Sequence, residues 1–126
     1  MLVPAKAQDK EHTQLGKDME AMNDAFKAFR RETDPAKGAA QAREAQAALI
    51  KGISEVPAKV KEMPEGPEKA KALVEYHKMI GKLYVALCEV EEAFLNGKVE
   101  EVAKIVETLK EMKKTGHKQF MKEDEE

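Results

Sequence analysis

Between residues 67 and 95 the chain carries its strictest heptad. Leu73, Ile80, Leu87 and Phe94 form one apolar row, and Tyr76, Leu83 and Val90 form a second. Rows of this spacing lie on one face of an α-helix. One helix cannot bury such a face alone, so the chain must supply partners. Three other segments do so. Residues 9–31 place Leu15, Met19, Met22, Phe26 and Phe29 three or four positions apart. Residues 35 to about 61 repeat Ala42, Ala45, Leu49, Ile53, Val56 and Val60 in the same way. From residue 98 or 99 to about 122 the pattern is Val99, Val102, Val106, Leu109, Met112, Gly116 and Phe120. Four such segments joined by short links predict an all-α, antiparallel up-down-up-down four-helix bundle over residues 9–122.

The breaks agree with that count. Thr33-Asp34-Pro35 ends one helix and starts the next, with Asp34 as N-cap and Pro35 as a first helical residue. Pro57 lacks the backbone donor that a helix needs, so the second helix should kink or end near Glu55 or Val56. Met63-Pro64-Glu65-Gly66-Pro67 cannot continue a helix and reads as the longer connection between two hairpins. Asn96-Gly97 sits between segments of 3.6-residue period, which makes it a glycine C-cap rather than a β-hairpin turn. Residues 1–8 read as a disordered leader in which Ala5-Lys6-Ala7 has the small-x-small look of a signal-peptidase site, without an apolar stretch before it. Residues 123–126 are an acidic tail that opposes the last helix's dipole and should fray.

Composition excludes several classes of function. At 126 residues the chain is one domain with enough length for a core of its own. Its 22 basic and 24 acidic residues nearly cancel, and no basic stripe is interleaved with aromatics, so nucleic acid is not an expected partner. No run approaches the roughly 20 apolar residues of a membrane span. The single cysteine, Cys88, permits no internal disulfide and no Cys-x-x-Cys-His haem attachment, and reads as a buried helix-core thiol. Glu-x-x-His pairs, which a di-iron bundle requires, do not occur. Cys88 has no histidine partner in any nucleophile motif, so the chain is not expected to be an enzyme.

What remains is a possible metal centre. Met19 lies about ten residues into the first helix, and His117 lies five to eight residues before the end of the last. In an antiparallel bundle these helices are neighbours, which brings both residues to a similar height, facing inward. A thioether and an imidazole opposed across an interior are an axial pair for haem iron, and the soft thioether favours the ferrous state. Spacing alone leaves the plainer reading open. Methionine fills cores, and an inward histidine often only finds a hydrogen bond.

The stretch Met19-Glu20-Ala21-Met22-Asn23-Asp24-Ala25-Phe26-Lys27 resembles the opening helix of the cytochrome b562 family. So do Asn96-Gly97-Lys98-Val99-Glu100-Glu101 and the final Lys114-Thr115-Gly116-His117-Lys118-Gln119-Phe120. The resemblance runs from about Asp18 to Phe120 in helix order and loop placement. It implies a small periplasmic electron carrier with one non-covalent haem b, Met19 and His117 being the iron ligands. Met22, one turn from Met19, is implied as a second candidate ligand or a porphyrin contact. Tyr76 and Ile80 are implied as haem walls, where the family presents phenylalanines, and Gly116 and Phe120 as further contacts. The redox partner is not identified, and the expected state is a monomer or weak dimer. His77 reads as a rim residue, with a haem-edge contact as the alternative, and His12 as solvated. The competing reading is a cofactor-free exported binding, chaperone-like or dimerising module that keeps the same bundle with Met22, Phe26 and Phe29 as plain core.

Overall fold

A computed structural model describes residues 14–120. The leader, His12, the start of the first helix and the acidic tail lie outside the described residues. The elements are α1 (Gln14–Arg30), α2 (Pro35–Ile53), a one-turn α3 (Ala58–Lys61), α4 (Pro67–Leu95) and α5 (Val99–Phe120). The four long helices form the antiparallel bundle that the periodicity predicts. Among the described residues there is no strand. Successive long helices pack broadly: α1 on α2, α2 on α4, and α4 on α5. The closing pair, α1 and α5, touches over a much shorter stretch.

The apolar rows point inward as expected. Met19, Met22, Phe26 and Phe29 of α1 are buried with Ala42, Ala45 and Leu49 of α2. Tyr76, Ile80, Leu83, Leu87, Val90 and Phe94 of α4 join them, as do Val102, Val106, Leu109 and Phe120 of α5. Leu73, Val99 and Met112 are half-buried against this core. The side chain of Leu15 is not among those described.

The caps follow the chemistry of their residues. A carboxylate oxygen of Asp34 accepts from the Lys37 backbone N–H at 3.0 Å, ahead of Pro35. At the end of α4, Gly97 takes φ 72°, while the Lys98 N–H donates to the Ala93 carbonyl and the Gly97 N–H to the Phe94 carbonyl. That pair of bonds is a Schellman closure, and its left-handed residue is glycine because it has no Cβ to clash.

Two expectations need correction. The second helix ends at Ile53, earlier than Glu55. Pro57 has no N–H for the Ile53 carbonyl four residues back, and its ring would collide with that carbonyl. The chain turns at Ser54 instead, and Pro57 becomes the N-cap of α3. Ile53 therefore emerges at 36% exposure, while Val56 and Val60 still reach the core. Cys88 is only half-buried, because it lies beside the inward rows of α4 and not within them.

Candidate functional site

Toward the end of the bundle where α1 begins and α5 finishes, three helices enclose a small cavity of about 20 Å3. From α1 come Met19 and Met22, and from α5 come Lys113, Gly116 and His117. Helix α4 supplies Tyr76, Met79, Ile80 and Leu83. The fold thus brings Met19 and His117 to one space from opposite ends of the chain. It brings Met22, Tyr76, Ile80 and Gly116 with them. Met19 and Met22 are 5% and 3% exposed, so both thioethers are inside. His117 is half-buried, in keeping with its position off the centre of the apolar face.

Tyr76 forms a fixed wall. It is 1% exposed, and its hydroxyl donates to the Gly52 carbonyl at 2.7 Å. The same Gly52 carbonyl, in the last turn of α2, also accepts the Glu55 backbone N–H at 3.1 Å. Phe120 does not line the cavity. It packs edge-to-face on Tyr76, with ring centroids 5.7 Å apart, and so supports the wall residue. His77 is exposed and stays on the rim.

The sequence reading did not assign Met79, Leu83 and Lys113 to the site. Leu83 belonged to the second heptad row, but as core only. Met79 stands one position before Ile80 and three after Tyr76, which puts it at the edge of that row. Lys113 lies four residues before His117, on the same face of α5, a spacing that could have marked it. Met79 is the critical omission. Its sulfur rests where a Cβ on Gly116 would stand, so the glycine makes a cradle that the thioether fills. Met79 also borders a wider, open groove of about 330 Å3 on the outer side, shared with Met112 and Phe120. Met79 therefore lines both the interior space and the outer groove.

Lys113 is the only charged residue on the cavity wall. Its ammonium lies 4.2 Å from the centroid of the Phe26 ring, whose negative face attracts it. Arg30 approaches the same ring at 5.9 Å. Partial burial, with repulsion from Lys27 and Arg30 added, lowers the Lys113 pKa below the ordinary lysine value. No carboxylate faces the cavity, and among the described residues no group of three or more His, Cys, Asp or Glu could hold a metal ion. No described helix is long and apolar enough to cross a membrane.

The sequence model of the family described as cytochrome b562 matches residues 14–121. No curated protein matches the chain.

Proposed function

The chain belongs to the cytochrome b562 family, and from that premise we propose that it is a periplasmic electron carrier, not an enzyme, binding one non-covalent haem b through Met19 and His117. The observation that carries this reading is that the two residues line the same cavity.

The donor set suits the cofactor. A neutral thioether and a neutral imidazole are a ligand pair of electron-transfer haems, and Gly116, once Met79 leaves its cradle, would give space on the histidine side for a flat group. The present cavity holds little more than a water-sized sphere. Admitting a porphyrin requires Met79 to leave the cradle, which joins the cavity to the outer groove, and the short α1–α5 contact to part. Met79 has three rotatable side-chain bonds, and few contacts cross that seam.

When bound, haem iron supplies a one-electron couple between ferric and ferrous states. The chain's residues determine its setting. Met19 and His117 would hold the iron, and the soft thioether of Met19 would favour the reduced ion. Tyr76, Ile80 and Leu83 form an apolar wall that excludes water. Lys113 places a cation at the margin, where it favours an anionic substituent. Met22, one turn from Met19, packs beside the ligand.

Titration of the purified protein with hemin tests the proposal. It should saturate at one equivalent, with a strong Soret band and sharp α and β bands on reduction. Met19→Ala and His117→Ala should each abolish the sharp reduced bands, while Met22→Ala should retain them. Failure to take up hemin defeats the haem reading and leaves the cofactor-free bundle. Unchanged spectra in both ligand variants defeat the ligand assignment, and loss in Met22→Ala alone transfers it to Met22.

A further inference from the structure

We infer that in its closed form the same cavity is a Cu(I) site, built from the thioethers of Met19, Met22 and Met79 and the imidazole of His117. All four line one space, and they reach it from three helices: two sulfurs from α1, one from α4 and the ring from α5. Lining side chains contributed by three helices suit a three- or four-coordinate ion better than one held between two opposed ligands. The cavity, about 20 Å3, accepts a single ion where it excludes a porphyrin.

The chemistry of the wall selects the ion. Thioethers are soft and uncharged, and imidazole is intermediate, a combination that favours Cu(I) among biological metals. Magnesium and calcium need oxygen donors, and none of the lining residues carries a carboxylate. A divalent ion would find no negative charge to offset its own. A monovalent one asks for less. The Lys113 ammonium opposes any cation here, but it is held against the Phe26 ring at 4.2 Å. Met79 is the residue that separates this site from the haem site. Seated in the Gly116 cradle, its sulfur belongs to the cavity; swung out for a porphyrin, it does not. The two ligands are therefore mutually exclusive.

The test is an anaerobic competition on the full haem-free chain, with ascorbate keeping copper reduced and bicinchoninate as the coloured chelator. The protein should withdraw one equivalent of Cu(I) from the chelator. Loss of an outer-sphere partner alone costs a metal site about 10–100-fold, so Met79→Leu and Met22→Leu, which conserve volume, should each weaken binding at least about tenfold. Circular dichroism should show that both variants keep the bundle. Cys88→Ser should bind as tightly as the parent chain, and hemin-saturated protein should leave the copper with the chelator. The inference is overturned if no copper is withdrawn, if both leucine variants bind like the parent, if Cys88→Ser loses the ion, or if hemin, once shown by its spectrum to be bound, leaves copper uptake unchanged. A chain that ignores hemin but takes up Cu(I) would defeat the haem reading and leave this one standing.

Discussion

Lys113 is held where a lysine is least at ease, half inside an apolar wall and close to two other cations. Contact with the Phe26 face offsets part of the desolvation but not the repulsion from Lys27 and Arg30. A lysine whose folded-state pKa is lowered penalises folding while both states are protonated. The penalty fades as pH rises through the lowered pKa toward the ordinary value of 10.5. Lys113→Met removes the ammonium and keeps the stem that packs beside His117. The variant should therefore have a higher urea midpoint than the parent at pH 7, and the gap should narrow as pH approaches 10.5. A variant less stable at pH 7 would show that the cation–π contact outweighs the desolvation. The charge stands in the wall because α5 places Lys113 one turn before His117.

At the scale of the helix, two glycines inside regular turns have opposite consequences. Gly38 of α2 lies under the ring of Phe94, which is fully buried, so a Cβ would overlap a rigid group. Gly81 of α4 faces open space, with nothing within 4 Å of a Cβ built there. Replacing glycine by alanine in a helix interior gains about 1 kcal/mol from propensity. At Gly81 nothing opposes that gain, so Gly81→Ala should raise stability by about 0.5–1 kcal/mol in urea unfolding. At Gly38 overpacking costs typically about 1–3 kcal/mol, and Gly38→Ala should be net destabilising. Equal effects at the two sites would mean that Phe94 moves aside freely. Neither difference is visible in the sequence, because both glycines sit among helix formers and only the facing element tells them apart. The helices themselves were legible, since the rows around Leu87 and Leu109 have one period and every break has a backbone reason. The early end of α2 was less so. The apolar spacing continued through Ile53 to Val60, and the carbonyl that Pro57 cannot serve lies four residues before it.

Across the whole bundle, contact between helices is uneven, and the cavity lies where it is thinnest. Met19 and His117 could be brought together on paper from helix order and distance along the axis alone. Met79 could not, because its place depends on a side chain crossing into the gap opposite Gly116. The polar ties lie elsewhere: the buried Gln46 amide donates to the Leu87 carbonyl and to Glu91, and Glu91 accepts from Arg43 at 2.9 Å, binding α2 to α4. Hydrogen bonds from Gln46 and Arg43 hold the Glu91 carboxyl below its usual pKa. Local opening follows the surface that few contacts close, so the α1–α5 seam should breathe first. Amide hydrogen exchange on the haem-free protein should be fastest, within helices, around Met19–Met22 and Gly116–Phe120. It should be slowest through Ala42–Leu49 and Leu83–Val90. A ligand bound only by the folded, assembled site protects by mass action, so hemin should slow the first two stretches far more than the second two. If Ala42–Leu49 exchanges as fast as Met19–Met22, opening is global and the seam is no entry route. If hemin protects all four stretches alike, the ligand stabilises the fold as a whole instead of closing one side of it.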